Sequence, residues 1–485
     1  MSELPKGWVE TTIGEICSFV RGVAYKKEQA TDRPGKDTVA VLRANNLQSG
    51  TFERDDIVYV PGSVVSSDQL LQPGDTVLAM SSGSASVVGK AVSVQQAEPN
   101  TAFGAFCGLI RPHDTVVGGW LRHYFQTQSY REAMTAAAAG VNINNLRAGD
   151  LLSLKIWLPT DAEQRRIVAR LDELLARSRR AKEELAAIPA LLERYRQSVL
   201  AAAFRGDLTA DWRAKNPDVE SATRWLQRRG IDVRTDSKGC ADHGLPTGWS
   251  AVPIRDIAAK VTSGSRAWSK YYDQGKAVFV LAQNVRNTGL EFRSTQYVNP
   301  PVDDPERERT RIEIGDVLVT IVGANTGDCC DVRQQVHDHY VCQSVALVRP
   351  MALELSRWVS MFVQTSVVEG GALSGDIYGA ARPHLGLDHL RNLVVPIPPH
   401  LEMTRALCVF DQWEVASKSI REGCEQHLNQ IDALERAILT RAFRGELVPQ
   451  DPADEPASVL LERIRAERAA APVKKKSGRQ PRRDA

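Results

Sequence analysis

The sequence predicts an α+β protein in which two mixed α/β globules form a tandem repeat with approximate two-fold symmetry, separated by two long antiparallel coiled-coil helices. Three observations predict this fold. Motifs of the first half return in the same order roughly 240 residues later, each half contains short β-rich runs, and each half ends in a long stretch of seven-residue apolar periodicity. A chain of 485 residues also exceeds the roughly 100 to 200 residues of one ordinary domain.

The composition is that of a folded protein rather than a membrane or disordered chain. Hydrophobic residues make up 43% and charged residues 25%, with 61 Lys and Arg against 59 Asp and Glu. This balance supports buried cores. No stretch reaches the ~18 uninterrupted apolar residues of a membrane helix, and the start has no apolar signal-peptide core. Eight scattered cysteines without a CxxC pair fit reduced thiols, so we expect a cytoplasmic protein with no membrane partner.

The internal repeat rests on landmarks that keep their order in both halves. A Gly-Trp motif opens each copy, and an Ala-Phe-Arg-Gly (AFRG) motif closes it. The matched landmarks are Leu4-Pro5-Lys6-Gly7-Trp8 with Leu245-Pro246-Thr247-Gly248-Trp249, Gly74-Asp75 with Gly315-Asp316, Trp120 with Trp358, Gln126-Thr127 with Gln364-Thr365, and Ala203-Phe204-Arg205-Gly206 with Ala442-Phe443-Arg444-Gly445. An ordered series of this kind indicates the duplication of one module.

Each copy begins with a globule, which we assign to residues 1–159 and 244–398. Runs rich in β-branched residues and bounded by Gly, Asn or Asp predict strands at 39–42, 76–79, 278–281 and 317–320. Helical spacing of apolar residues follows at 120–139 and 355–368. Each globule is therefore expected to be a mixed α/β domain.

A long helix completes each copy, at residues 160–208 and 399–447. Thr160 and Glu163 form a predicted capping box, in which each side chain bonds the backbone amide of the other residue. The apolar stripe of the first helix is Ile167, Leu171, Leu174, Ser178, Ala181, Leu185, Ile188, Leu192, Tyr195, Val199 and Ala202, and that of the second is Ala406, Phe410, Trp413, Ser417, Ile420, Cys424, His427, Ile431, Leu434 and Ile438. Such stripes are buried most simply against each other, in rods of about 65–70 Å. Pro189 is expected to kink or divide the first helix, and Gly423 weakens the second.

The remaining segments are polar. Residues 209–243 are predicted to be a linker with a short helix near 222–229, and residues 448–485 a short helix near 458–470 followed by a basic tail from Lys474 to Arg483. A solvated end is the preferred interpretation of that tail, with a nucleic-acid contact as the alternative.

Several catalytic patterns are incomplete. The stretch from Gly83 to Lys90 lacks phosphate-loop spacing, Asn299-Pro300-Pro301-Val302 has Val where amino-group DNA methyltransferases have an aromatic residue, and Pro217-Asp218 with Asp236-Ser237-Lys238 mimics a nuclease centre without strands to hold it. We therefore predict no catalytic residues. Five residues of zinc-binding type, Cys329, Cys330, His337, His339 and Cys342, lie close in sequence, but their spacing is unusual. Buried thiols and exposed histidines are preferred there, and metal binding stays open.

Loops of both globules offer side chains suited to DNA. Arginine fits guanine, asparagine and glutamine fit adenine, and lysine neutralises phosphates. The candidates are Arg21, Tyr25, Lys26, Lys27, Arg43, Asn45, Asn46, Ser82, Ser84, Asn142, Asn144 and Asn145 in the first copy, and Arg266, Trp268, Lys270, Tyr271, Gln283, Asn284, Arg286, Asn325, Arg382 and His384 in the second. Because the loops differ more between copies than the helices do, we expect one scaffold that reads two different sequences.

The chain resembles the specificity subunit of type I restriction-modification systems over nearly its whole length. The resemblance lies in the Gly-Trp motif, the doubled AFRG ending, and helix starts of the form Glu-x-x-Arg at Glu163-Gln164-Arg165-Arg166 and Glu402-Met403-Thr404-Arg405. It implies two target-recognition domains, each reading one half of a split site on double-stranded DNA, with the helices as a ruler. The second helix departs from the first at Met403 and Thr404, and His427 takes the place of Ile188.

The resemblance also implies a subunit that is not an enzyme and holds no cofactor. Such a subunit docks two methyltransferase subunits, which bind S-adenosylmethionine and methylate adenine. Nuclease and translocase subunits, which use ATP and Mg²⁺, join the assembly.

Two other functions remain open at this point. A fused methyltransferase-specificity protein would need a complete cofactor motif, which the sequence lacks. A coiled-coil adaptor that does not read DNA would explain the helices but not the two loop-rich globules. Salt-dependent binding without any preferred sequence would favour the adaptor.

Overall fold

The computed structural model describes residues 5–48, 50–82, 87–96, 98–137, 144–233, 244–368, 371–378 and 383–470. The chain divides into two compact units. The first unit contains the residues up to Ala186 and those from Glu425 onward, and the second contains Ala187–Cys424. Each unit thus holds one globule and one half of each long helix. Among the described residues, no helix has the length and apolar character needed to span a membrane.

The first globule runs from β1 to β13. Its elements are β1 Val9–Thr12, α1 Ile13–Ile16, β2 Cys17–Arg21, β3 Thr38–Leu42, β4 Leu47–Gln48, β5 Thr51–Phe52, β6 Val58–Pro61, β7 Thr76–Ala79, β8 Ser81–Ser82, β9 Ala91–Ser93, β10 Thr101–Phe103, β11 Cys107–Pro112, α2 Thr115–Tyr124, α3 Gln128–Ala137, β12 Asn144–Asn145, α4 Ala148–Leu152 and β13 Lys155–Leu158. The predicted strands at 39–42 and 76–79 are β3 and β7. The single helix predicted at 120–139 is instead two helices, α2 and α3.

The first long helix and the linker follow, and then the second globule from β14 to β26. The helices are α5 Asp161–Arg205, α6 Ala210–Lys215 and α7 Ala222–Arg228. The second globule contains β14 Ser250–Pro253, α8 Ile254–Ile257, β15 Ala258–Ser263, β16 Tyr272–Val280, β17 Val285–Arg286, β18 Gly289–Leu290, β19 Gln296–Val298, α9 Pro305–Thr310, β20 Val317–Thr320, β21 Cys329–Asp331, β22 His339–Val341, β23 Val345–Pro350, α10 Leu355–Ser366, β24 Ile377–Tyr378, β25 His384–Leu385, α11 Leu387–Asn392 and β26 Val394–Ile397. The chain continues with α12 His400–Ala442 and α13 Ala457–Ala470.

Both globules have the same sheet topology, as the sequence repeat requires. An antiparallel sheet has the order β2-β11-β7-β9 in the first globule and β15-β23-β20-β21 in the second. A mixed sheet has the order β10-β3-β6 in the first and β22-β16-β19 in the second. The inner strands β7 and β20 are buried at every position, which is why their sequences are continuously apolar apart from threonine.

The chain enters and leaves each globule on adjacent antiparallel strands. β1 pairs with β13 from Val9 opposite Leu158 to Thr12 opposite Lys155, and β14 pairs with β26 in the same way. Each globule is thus connected to its helix through one two-stranded neck.

The first long helix begins with the predicted cap but uses its glutamate differently. The amide of Glu163 donates to Thr160 Oγ1 at 3.1 Å, as the capping box predicts. The Glu163 carboxylate does not bond Thr160 in return, because it accepts from Trp8 Nε1 at 2.8 Å and from Gln450 Nε2 at 2.5 Å. In the second copy, Glu402 accepts from Trp249 Nε1 at 3.0 Å. In each copy, the tryptophan of the Gly-Trp motif therefore donates a hydrogen bond to the glutamate of the Glu-x-x-Arg motif.

Within each unit, the two helix halves run antiparallel. In the first unit, Ile167 near the start of α5 shares a core with Ala442 at the end of α12. Farther along α5, Lys182 pairs with Asp432 at 2.6 Å and with Glu435 at 2.7 Å. In the second unit, Arg196 lies over the Phe410 ring, near the start of α12. Rising residue numbers on α5 meet falling numbers on α12 in both units.

Parts of the predicted helix pattern are wrong. Helix α5 is one continuous helix from Asp161 to Arg205, so Pro189 does not divide it. Four predicted stripe positions are exposed: Tyr195, Ile420, His427 and Leu434. Half-buried Leu428 and Glu435 take the places of the last two. At the last two positions the buried stripe is thus displaced by one residue, and it includes Glu435, which binds Lys182 of α5.

The AFRG motif ends each helix and packs against the other copy's Gly-Trp motif. Gly445 has φ +73° and Gly206 has φ +81°, the left-handed conformation that closes a helix C-terminus. A Cβ on Gly445 would collide with Pro5 Cγ, and one on Gly206 with Pro246 Cγ. The neighbouring Phe443 ring lies 4.0 Å from that of Trp120, and Phe204 lies 4.7 Å from Trp358.

The helix after each AFRG motif caps the globule of the other copy. The amide of Ala457, at the start of α13, donates to Gly7 O at 2.9 Å, and that of Ala222, at the start of α7, donates to Gly248 O at 2.9 Å. Leu460, Leu461 and Ile464 bury their side chains in the core of the first unit. The C-terminal helix therefore completes the N-terminal globule.

We expect Gly445→Ala to lower the free energy of unfolding by about 2–3 kcal/mol, because a non-glycine residue in left-handed backbone and a side chain pressed into Pro5 each cost about 1–2 kcal/mol. Thermal unfolding measures the effect. Gly423→Ala is the matched control: it lies inside α12 with open space around it and should be neutral or stabilising. Equal stability of Gly445→Ala and the parent chain would contradict this packing role.

Candidate nucleic-acid interface

An asparagine holds the same loop in each globule. Asn46 Oδ1 accepts from the Arg43 amide at 2.9 Å, and its Nδ2 donates to the carbonyls of Glu53 and Asp55. Asn284 makes the equivalent three bonds, to the Leu281 amide and to the carbonyls of Glu291 and Ser294. Both side chains are buried, so the prediction that Asn46 and Asn284 face DNA is wrong. They position the loop instead.

Trp268 is also wrongly predicted as a DNA-facing residue. Its side chain is 0% exposed and its ring centroid lies 5.2 Å from that of Tyr340. Its Nε1 donates to Asp304 Oδ2 at 2.9 Å. The residue belongs to the core of the second globule, because an indole that is fully enclosed and hydrogen-bonded has no face left for a base.

The first globule presents several of its candidates to solvent. Arg21, Lys26, Lys27, Asn45 and Asn145 are exposed, and Tyr25 and Ser82 are half-buried. Arg43 is half-buried and pairs with Asp56 at 2.5 Å. Asn144 contributes backbone to β12, which pairs with β8. Ser84 and Asn142 lie outside the described residues.

The second globule gathers some of its candidates around a cleft of about 450 Å³. Arg266, His384, Ser263, Gln343 and Ser344 are among the residues that line it. This mixture of a cation, an imidazole, hydroxyls and an amide can donate to and accept from base edges. The cleft brings together Arg266 and His384, which are 118 residues apart in the chain.

The other candidates of the second globule lie elsewhere. Lys270 is exposed, with its Nζ 4.9 Å from the half-buried Tyr271 ring, and Gln283 is exposed beside Asn284. Arg286 pairs with Asp328 at 3.0 Å, and Asn325 is half-buried. Arg382 lies outside the described residues.

Two buried ion pairs fix the sheets beneath these loops. Arg111 bonds Asp75 through Nε at 2.8 Å and Nη2 at 2.6 Å, and Arg349 bonds Asp316 through Nε at 2.7 Å and Nη2 at 2.8 Å. Burial raises the pKa of Asp316 despite the bonds from Arg349. Sequence reasoning missed these pairs, although the recurrence of Gly-Asp and Arg-Pro in both copies is a signal that could have found them.

The cysteines and histidines of the second globule do not form a common site. Cys329, Cys330 and Cys342 are buried, and burial raises the pKa of Cys330 to about 12, so that it remains a thiol. His339 Nδ1 contacts the carbonyl of His337 at 2.6 Å. Across the part of the chain that the structure describes, no three His, Cys, Asp or Glu side chains are grouped as metal ligands would be.

A basic cavity in the first unit was not foreseen from the sequence. It has a volume of about 740 Å³ and lies between the first globule and the helix halves of its unit. Its lining includes Lys90, Arg122 and Arg131 of the globule and Arg179 and Lys182 of α5. One signal could have indicated it: Lys90 occupies the position that Asp328 has in the second copy.

Comparison with known proteins gives one consistent picture. The family model described as the type I restriction modification DNA specificity domain matches residues 5–190. The chain is 30% identical to the type I restriction enzyme EcoKI specificity subunit of Escherichia coli strain K12, over 98% of both chains. It is also 30% identical to the StySPI specificity subunit of Salmonella potsdam, again over 98% of both chains.

Two solved structures have a similar fold. One, from work on complex assembly and conformational transition of the type I R-M system, has a TM-score of 0.64 and 19% identity, and covers 92% of this chain and 100% of its own. The HsdS subunit from Thermoanaerobacter tengcongensis has a TM-score of 0.50 and 20% identity, covering 92% and 99%. At these identities the likeness concerns the fold alone.

Proposed function

Because the chain belongs to the family of type I restriction-modification specificity subunits, we propose that it selects the DNA site of such a complex, with one globule reading each half of a split sequence. It is a non-catalytic recognition subunit, whose partners are DNA and methyltransferase subunits. One observation carries the assignment of two different half-sites. The two globules share their frame but have unlike side chains at an equivalent position on the edge of the sheet.

That contrast is specific. The hydrogen bonds of the loop-holding asparagine, Asn46 or Asn284, are the same in both globules. The Arg-Asp pair beneath the loops also uses the same atoms in both. At the edge of the sheet, however, Arg21 of the first globule corresponds to Ser263, given that β2 and β15 pair equivalently with β11 and β23. Because exposed donors and acceptors determine base readout, an unchanged frame with changed edges supports two specificities.

We assign the candidate DNA contacts accordingly. In the first globule, they are Arg21, Tyr25, Lys26, Lys27, Arg43, Asn45, Ser82 and Asn145. In the second, they are Arg266, Lys270, Tyr271, Gln283, Arg286, Asn325 and His384. The proposed domain boundaries remain residues 1–159 and 244–398 for the recognition domains and 160–208 and 399–447 for the helices that space them.

The finer composition of the assembly is also part of the proposal. Two methyltransferase subunits supply S-adenosylmethionine and methylate adenine, and nuclease and translocase subunits supply the steps that use ATP and Mg²⁺. Because the eight scattered cysteines fit reduced thiols, we place the assembly in the cytoplasm.

The proposal is tested by selecting bound duplexes from a random library with the full chain and its methyltransferase subunits. We expect one split consensus with two constant halves. Arg266→Ala is expected to relax one position of the second half and to cost about 1–3 kcal/mol there, because an arginine contact to a base discriminates by that amount. Lys418→Ala, on the exposed face of α12, is the control. Salt-dependent binding without a consensus would contradict the proposal.

A further inference from the structure

The basic cavity of the first unit has a lining rich in cationic side chains. Its described lining contains five cationic side chains, Lys90, Arg122, Arg131, Arg179 and Lys182, but only two carboxylates, Asp172 and Glu435. Both carboxylates are already used, Asp172 by Arg122 at 2.6 Å and Glu435 by Lys182 at 2.7 Å. Asp432, outside the lining, also pairs with Lys182 at 2.6 Å. Lys90 and Arg179 therefore line the cavity without an ion-pair partner among the described carboxylates.

At the position of Lys90, the second copy has an ion pair. Lys90 donates to the neutral Gln48 at 2.9 Å, whereas the counterpart pair is Arg286 with Asp328, an ion pair of zero net charge. Four backbone hydrogen bonds show that Lys90 and Asp328 occupy equivalent positions. The amides of Gly89 and Gly327 donate to the last residues of β7 and β20. The amides of Val94 and Val332, after β9 and β21, donate to the aspartates that precede β7 and β20.

The space itself is also filled in the second copy. The counterpart of Glu435 is Arg196, whose side chain is buried and donates to Gln364. Gln364 is the counterpart of Gln126, which lines the open cavity of the first unit. An internal guanidinium thus occupies the place that is open in the first unit.

Two features of the cavity call for an external acceptor. Arg122 Nε is a buried N–H donor without a hydrogen-bond acceptor among the residues described. Arg179 is exposed on α5, and no carboxylate of the described chain lies within ion-pair distance of it. A buried donor without an acceptor is destabilising, and an anion within reach of Arg122 Nε would satisfy it.

We propose that this cavity binds a phosphate group, and that the phosphate is supplied by the backbone of DNA held by the first globule. Phosphate fits the lining better than a single carboxylate because several cations surround the space and guanidinium groups bind phosphate oxygens in pairs. The β4–β5 hairpin connects the cavity to the predicted contact Asn45, since Gln48 Nε2 donates to Asn45 O at 3.2 Å. The source of the phosphate rests on the proposed function, but the phosphate chemistry does not.

The test compares Arg179→Gln with the full chain in salt titrations of duplex binding. Loss of one phosphate contact is expected to reduce the slope of log K against log salt by about 0.9 and to weaken binding about eightfold at 0.1 M salt, for specific and random duplexes alike. Lys90→Gln should act in the same direction. Lys418→Gln is the matched control, because Lys418 is the counterpart of Arg179 and pairs with Glu422 at 3.8 Å. Its salt slope should equal that of the parent chain.

Calorimetric titration with inorganic phosphate separates the two sources. Phosphate binding that Arg179→Gln and Lys90→Gln abolish, with unchanged DNA salt slopes, would support a free phosphate ligand and overturn the DNA source. Unchanged slopes together with no phosphate binding would overturn the proposal, provided that both variants unfold at the temperature of the parent chain. If the parent chain bound random duplexes but preferred no split sequence, the proposed function would be contradicted. The salt slopes of the variants on random duplexes would still test the phosphate site.

Discussion

Replacing residues 1–159 with the corresponding domain of a relative is expected to change one half of the methylated DNA site completely and to leave the other half unchanged. The neck explains why. The segment ends next to the paired strands β1 and β13, so the new junction lies at the neck and the sheets of the globule stay whole. The candidate residues that contact bases are then replaced together with the globule, so the base specificity of that half-site changes with it.

The donor domain must keep three contacts with the helices of its unit. Its counterpart of Trp8 must donate to Glu163, and its counterpart of Trp120 must stack on Phe443. Its counterpart of Gly7 must accept from Ala457, because α13 completes the core. A donor with the Gly-Trp motif and a tryptophan at the second place satisfies these conditions.

Methylome sequencing of cells that make the chimaera and the methyltransferase subunits measures the result. The reciprocal exchange of residues 244–398 is the control and should alter only the other half. If both halves changed after either exchange, the globules would not read DNA independently. If neither changed, recognition would lie outside them.

Much of the fold could be predicted from the sequence because it is encoded locally or by repetition. The continuous apolar run at 76–79 indicates a buried strand, and Thr160 with Glu163 indicates a helix start. The repeated Gly-Trp and AFRG motifs indicate two equal modules. The sequence pattern does not show that the two motifs contact each other across the repeat. In the structure, Gly445 lies against Trp8, and Gly206 lies against Trp249.

The candidate site was predicted less well, because residue type does not determine exposure. Asn46, Asn284 and Trp268 have the side chains of a DNA contact, yet the first two hold a loop through six hydrogen bonds and the third fills a core. The cavity around Lys90 and Arg179 is lined by strands, two short helices and both long helices, which are far apart in sequence. Only tertiary structure brings such residues together.

Adding seven residues to each long helix is expected to lengthen the gap between the half-sites. The insertions belong after Ala186 in α5 and after Cys424 in α12, where the two units divide. A heptad keeps each apolar stripe on its face and adds about 10 Å, roughly the rise of three base pairs. Three base pairs also turn the second half-site by roughly a third of a helical turn, which opposes the full extension. We therefore expect a gap longer by about one to three base pairs and slower methylation.

Methylome sequencing reads the gap directly, and a heptad in α5 alone is the matched control. That single insertion leaves α12 too short to accompany α5, so the pairs from Lys182 to Asp432 and from Arg196 to the Phe410 ring cannot both form. Methylation should then be lost rather than shifted. If the double insertion kept its methylation and the gap stayed the same, the helices would not set the distance between the half-sites. Two added helical turns would then have had no effect on that distance.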